Sequence, residues 1–110
     1  MGECYHQTER LDAAEEAYQK ALKREPNSPD ILNNLAALYI QRENFEGARD
    51  MLQPLVLAHP ERNNLRLNFA IALANTGSLV QARSQAQEVL KHEPNNATAL
   101  ELIRVLNAPE

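Results

Sequence analysis

The segments ALKREPNSPD (residues 21–30) and VLKHEPNNAT (residues 89–98) end in nearly the same way, although 68 residues separate their starting points. Both contain leucine, lysine, a second basic residue, glutamate, proline and asparagine in the same order. Pro60 lies halfway between Pro26 and Pro94, so proline recurs every 34 residues. Because proline disfavours helical geometry at the preceding residue, each segment predicts the end of a helix. The chain is therefore expected to repeat one structural unit.

The same interval relates many other positions, and we call a set of positions 34 residues apart a column. Within the middle period, apolar residues recur at three- and four-residue steps over residues 32–39 and again over 45–56, which predicts two amphipathic helices in each unit. The columns include Ala14, Ala48 and Ala82; Leu11, Phe45 and Leu79; Leu22, Val56 and Leu90; Gly2, Ala36 and Ala70; and Tyr5, Tyr39 and Leu73.

Residues that can cap helices stand where the predicted helices begin. Ser28 precedes Pro29, an arrangement typical of an N-cap followed by the first helical residue. Asn44, Ser78 and Asn96 are expected to cap later helices by accepting a hydrogen bond from a backbone N–H.

The repeated pattern resembles the tetratricopeptide repeat, whose signature places a small residue and an aromatic on a first helix and an alanine and a closing proline on a second. In the middle unit these positions, with their apolar neighbours, are Leu35, Ala36, Tyr39, Ala48, Leu52 and Pro60. The resemblance implies an all-α fold, a right-handed α–α superhelix of three helix–turn–helix repeats plus a C-terminal capping helix. The expected boundaries are a truncated repeat at 1–28, repeats at 29–62 and 63–96, and a capping helix at 97–107.

Several positions depart from the repeat. Pro54 lies inside a predicted helix, and Arg66 occupies a column that holds leucine in the neighbouring units, so its aliphatic stem is expected to lie along the apolar surface. Arg104 occupies the column of Ala36 and Ala70, which favours a polar-faced cap, although the last helix also fits the first half of a fourth repeat. The first unit begins in mid-helix, which indicates a piece of a longer chain.

Composition excludes several classes of function. The chain has 110 residues, a net charge of −4 and 24% charged residues without a basic cluster, so nucleic acid is not an expected partner. The sequence contains no apolar run long enough for membrane insertion. The neighbouring Cys4 and His6 are two residues apart and would point to different faces of a helix, which argues against a catalytic pair. Metal-binding and phosphate-binding motifs are absent, so no enzyme activity, metal or other cofactor is expected.

By resemblance to the family, the concave surface formed by the first helices binds extended peptides. The residues expected to line this groove are Asn33, Asn34, Ala37, Ile40, Gln41, Asn64, Leu67, Asn68, Ile71 and Asn75. The column of Asn34 and Asn68 resembles an asparagine ladder that binds peptide backbone, while a purely structural role is equally open. Another subfamily clamps a terminal carboxylate with lysine and arginine, but those columns here hold Glu3, Asn34, Asn64 and Asn68, so chaperone carboxylates are not expected ligands.

Two functions remain open at this point. The first is a non-enzymatic module, part of a larger scaffold or assembly protein, that binds a protein or peptide with small apolar side chains. The second is self-assembly into homo-oligomers through the ends of the stack, where Leu11, Ala14 and Tyr18 are expected to be exposed. The sequence leaves the cellular compartment undetermined.

Overall fold

A computed structural model describes the backbone of residues 2–107 and the side chains of residues 10–107. Residues 2–107 form six α-helices and contain no β-strand, which confirms the all-α prediction. The helices are α1 (Gly2–Arg24), α2 (Pro29–Gln41), α3 (Phe45–Ala58), α4 (Asn63–Asn75), α5 (Leu79–His92) and α6 (Ala97–Asn107).

Most helix starts and ends follow the local signals. Asn44 Oδ1 accepts a hydrogen bond of 3.1 Å from Gly47 N, and Asn96 Oδ1 accepts one of 2.9 Å from Ala99 N. Ser28 caps α2 more weakly, at 3.4 Å from Ile31 N. Ser78 stands at the N-cap of α5, but its side chain makes no capping bond, so that part of the prediction is wrong. Capping thus depends on side-chain geometry as well as on residue type.

The first unit departs from the expected pair of helices because α1 runs without a break from Gly2 to Arg24. In the next two units the turn is made by residues with positive φ, Glu43 at 62° and Gly77 at 89°. Glu9 occupies the same column but lies inside α1. Glutamate favours a helix and is strained in the left-handed region, so nothing local interrupts the helix at this position.

Packing between helices explains the curvature of the stack. Each helix packs against the next in sequence, and α4 also contacts α2 and α6. Within residues 2–107, by contrast, α1, α3 and α5 make no such contacts with one another. The helices α2, α4 and α6 are therefore drawn together on the inner side, while α3 and α5 splay apart on the outer side.

Small residues are fully buried where the helices cross. Ala36, Ala48, Ala70 and Ala82 are fully buried, as the column pattern predicted. A longer side chain at such a crossing would force the helices apart, at a cost of ~1–3 kcal/mol. These alanines therefore set the close helix spacing that gives the stack its shape.

Two of the irregular residues are accommodated without interrupting their helices. Pro54 lies within α3, which continues to Ala58. The side chain of Arg66 is partly buried, and its Nε donates a hydrogen bond of 2.7 Å to the carbonyl of Pro60. Its Nη1 donates one of 2.8 Å to Gln85 Oε1, so the guanidinium is held at the ends of α3 and α5.

Candidate functional site

The inner surface, formed by the exposed sides of α2, α4 and α6, contains the predicted groove residues. Asn34, Gln41, Asn64 and Asn75 are exposed on α2 and α4. Ala37, Ile40, Leu67, Asn68 and Ile71 are partly buried, and Asn33 is buried. All ten residues lie on two neighbouring helices, so the helices place them side by side.

Asn33 and Asn68 form a hydrogen bond across the two helices. Asn68 Nδ2 donates to Asn33 Oδ1 at 2.8 Å, and Asn33 is only 8% exposed. Because a carboxamide has two donor hydrogens and one acceptor oxygen, this bond uses one donor of Asn68 and the acceptor of Asn33. The pair thus ties α2 to α4 beneath the surface.

Two further asparagines form local hydrogen bonds with backbone groups. Asn64 Oδ1 accepts a hydrogen bond of 3.0 Å from Leu65 N, and Asn75 Nδ2 donates one of 2.8 Å to the Ile71 carbonyl. Asn34 and Gln41 form no side-chain hydrogen bond with the part of the chain that the structure describes, and both are exposed. These two amides are the ones most available to a partner.

The aliphatic part of the inner surface extends toward α6. Ile71 on α4 is partly buried, and Val105, in the same column on α6, is 60% exposed. Leu67 and Leu102 pack together with the small cluster of Ala86, Val89 and Ala99. The inner surface therefore changes from amides near α2 to aliphatic side chains near α6.

Charged groups on this surface are paired with one another. Arg62 Nη1 lies 2.7 Å from Asp30 Oδ1 and links the N-terminal ends of α4 and α2. Arg104 Nη2 lies 2.7 Å from Glu101 Oε1, and the hydrogen bond raises the pKa of Arg104 above its usual range. Neither cation is left to hold a carboxylate of a ligand.

No group of side chains among residues 10–107 could hold a metal ion. None of the described helices combines the length and hydrophobicity needed to cross a membrane. The side chains of Glu3, Cys4 and His6, which the sequence analysis considered for a carboxylate clamp and for catalysis, lie outside the described residues.

A curved stack of antiparallel helices with a neutral inner surface defines a helical-repeat solenoid. The tetratricopeptide repeat family model matches residues 5–66, more than half of the chain. The chain therefore belongs to the tetratricopeptide repeat family, whose fold is generally a non-catalytic protein-interaction module.

Known proteins with similar sequence or structure support this assignment. Protein O-mannosyl-transferase TMTC1 from Homo sapiens is 30% identical over 108 residues, which are 98% of this chain but only 12% of that protein. The first TPR of Spaghetti (RPAP3), bound to the HSP90 peptide SRMEEVD, has a TM-score of 0.82 at 24% identity and covers 96% of this chain and 83% of that one. The second TPR domain of human RPAP3, in complex with the HSP70 peptide SGPTIEEVD, has a TM-score of 0.81 at 18% identity, with 98% and 90% covered.

Sequence reasoning grouped Asn68 with Asn34 and did not anticipate its bond to Asn33. Asn33 and Asn68 are 35 residues apart, one more than the repeat interval, so column comparison does not pair them. The ion pair between Arg42 and Asp12, which joins the end of α2 to α1, was missed for a similar reason. Both contacts depend on how far neighbouring helices are shifted along each other.

Proposed function

We propose that this chain is a non-enzymatic module that binds an extended or helical peptide segment on its inner surface. The observation that carries the proposal is the pair of exposed amides, Asn34 and Gln41, beside the aliphatic Ile71 and Val105. Amides can match the donors and acceptors of a peptide backbone without selecting its sequence. The aliphatic side chains favour small apolar residues in the partner.

Charge supports a partner without an acidic terminus. The carboxylate-clamp columns hold Asn34, Asn64 and Asn68 in the described part of the inner surface. A carboxylate is held best by charge-assisted donors, and Arg62 is already paired with Asp30. The expected ligand is therefore a neutral internal segment, and the affinity is modest because the surface is short.

We further propose that the module works as part of a larger scaffold or assembly protein. The support is the human relative, of which the matched region spans 12%. In such a chain the repeats would recruit a partner, and other regions would supply any additional activity.

A random peptide library displayed on phage tests the proposed groove. Peptides selected on the wild-type chain are labelled, and their Kd is measured by fluorescence polarisation. Asn34→Ala and Val105→Gln are each expected to weaken binding by about tenfold, while the exposed Gln87→Ala on α5 serves as the control. Equal Kd values for all variants would show that selected peptides bind elsewhere and would refute the proposal.

Self-assembly through the first unit is the second candidate. Ala14 is partly exposed, although Ala48 and Ala82 in its column are fully buried. Nearby, Ala17, Ala21 and Ile31 contribute to the lining of a cavity of about 410 Å³ between α1 and α2. A copy stacked on this end would bury these side chains.

End-to-end stacking is open-ended, so the mass of the particle should keep rising with concentration. Light scattering across a concentration series measures this growth. Ala21→Glu should stop it by placing a charge in the contact, whereas a wild-type chain that remains monomeric would exclude stacking.

A further inference from the structure

A crevice on the outer side of the stack lies between α3 and α5, above α4. Its volume is about 250 Å³, and its lining includes the buried Val56, Phe69 and Leu73 and the polar Gln53, Gln81 and Ser84. Small-molecule pockets usually have ~300–1,000 Å³, so this outer crevice suits one aliphatic side chain better than a whole ligand.

The two most exposed large apolar side chains in the described part of the chain accompany the outer crevice. Leu57, which lines it, is 77% exposed, and Val80 is 78% exposed. Val80 precedes Gln81 and lies one helical turn before Ser84, both of which line the crevice. Neither side chain contributes to the buried core.

Comparison along the columns shows that these apolar residues are specific to this place. The column of Leu57 holds Lys23 and Lys91 in the other two units. The column of Val80 holds Asp12 and Glu46. Both positions are thus compatible with a charged residue in the same fold, and an apolar residue there adds little to packing within one chain. Exposed apolar patches of this kind mark interaction sites.

The outer crevice itself arises from two changes in the repeat. Tyr39 and Met51 pack against the core in the middle unit. In the next unit the same columns hold the shorter Leu73 and the polar Gln85, whose carbonyl oxygen accepts a hydrogen bond of 2.8 Å from Arg66. Less side-chain volume remains above α4, so the recess stays open.

We propose that Leu57, Val80 and the outer crevice form a docking surface for a second copy of this chain, giving a two-fold symmetric dimer. An isologous interface requires a self-complementary patch, and this patch offers both protruding apolar side chains and a recess that accepts one. Each copy carries a net charge of −4, so contact between copies is least opposed where the surface is uncharged. The polar lining of glutamines and serine is neutral.

The small size of the patch predicts a weak dimer. Stable interfaces usually bury ~1,200–2,000 Å², more than one crevice and two side chains offer, so a Kd of roughly 10 µM to 1 mM is expected. Sedimentation equilibrium from about 5 µM to about 1 mM covers that range. The wild-type mass should rise toward two copies and stop there, because a two-fold contact closes on itself.

The double variant Leu57→Lys with Val80→Glu copies residues that other units of this chain already use. It should raise the dimer Kd at least ~10-fold, since charged side chains replace both anchors. Leu100→Lys is the matched control, because Leu100 is an exposed leucine on α6, away from the outer crevice. Thermal unfolding of the double variant should match that of the wild type, which separates lost association from lost folding.

Three outcomes would overturn the proposal. A wild-type chain that stays monomeric throughout the range shows that the patch does not bind a second copy. An unchanged Kd in the double variant places the contact elsewhere, as does growth beyond two copies that Ala21→Glu abolishes. Peptide binding on the inner surface is measured separately, so either proposal can fail alone.

Discussion

The carboxamide of Asn68 donates a hydrogen bond of 2.8 Å to that of Asn33 and so joins α4 to α2 beneath the inner surface. Since Asn33 is buried, loss of Asn68 would leave its oxygen without this partner. We predict that Asn68→Ala lowers the free energy of unfolding by ~1–3 kcal/mol, measured by urea denaturation.

Asn34→Ala is the matched control, because Asn34 is exposed in the same column as Asn68. Its free energy of unfolding should change by less than ~0.5 kcal/mol. Equal stability of the two variants would show that the Asn33–Asn68 bond contributes nothing, and Asn68 would then be available entirely for binding.

The turn residues Glu43 and Gly77 give a second prediction. Both have positive φ, at 62° and 89°, where a side chain costs ~1–2 kcal/mol. Glu43→Gly should therefore raise stability by ~0.5–1 kcal/mol, after allowing for the greater freedom of glycine in the unfolded chain.

Gly77→Ala should change stability in the opposite direction, by ~1–2 kcal/mol. A Cβ atom at Gly77 would meet nothing within 4 Å, so only backbone strain opposes it. Thermal or urea unfolding of both variants measures the pair. A stabilised Gly77→Ala chain would contradict the left-handed conformation of this turn.

Pro54 gives a third prediction, because it lies exposed within α3. Proline lacks the N–H that would bond to the carbonyl four residues earlier, that of Asp50, and costs ~3 kcal/mol in a helix interior. Pro54→Ala should raise the free energy of unfolding by ~1–3 kcal/mol. A lower thermal midpoint in this variant would show that the surrounding contacts require the proline.

The ion pairs of Arg42 with Asp12 and Glu15 connect the end of α2 to α1. The hydrogen bond to Asp12 raises the pKa of Arg42, so the guanidinium stays charged at any physiological pH. Arg42→Ala should speed amide hydrogen exchange in α1 several-fold, since that helix packs only against α2 within the described residues.

Arg104→Ala is the control for this measurement, because its partner Glu101 lies on the same helix, α6. It should leave exchange in α1 unchanged. High salt should reproduce part of the Arg42→Ala effect by screening the charges. Identical exchange in α1 for both variants would mean that packing alone holds the helix.

The peptide SRMEEVD, with which the structurally similar first TPR of Spaghetti was solved, gives a fifth prediction. The inner surface of this chain has neutral amides at Asn34, Asn64 and Asn68. Titration calorimetry should therefore detect no binding of SRMEEVD at about 100 µM peptide. Binding in the low micromolar range would require a cation that the described inner surface does not supply.

The sequence by itself determined the repeat and the limits of most helices. The prolines at 26, 60 and 94 and the caps Asn44 and Asn96 act within a few residues of themselves, so local rules identify them. The buried alanines follow from the same periodicity, because every unit crosses its helices in the same way.

Only the tertiary structure decided the features that depend on contacts between units. These are the unbroken α1 through Glu9, the bond between Asn33 and Asn68, and the outer crevice beside Leu57. Each depends on which side chains meet when helices from different units pack, and on their shift along one another. A one-dimensional repeat specifies equivalent positions but leaves that shift open, because neighbouring side chains of different size set it.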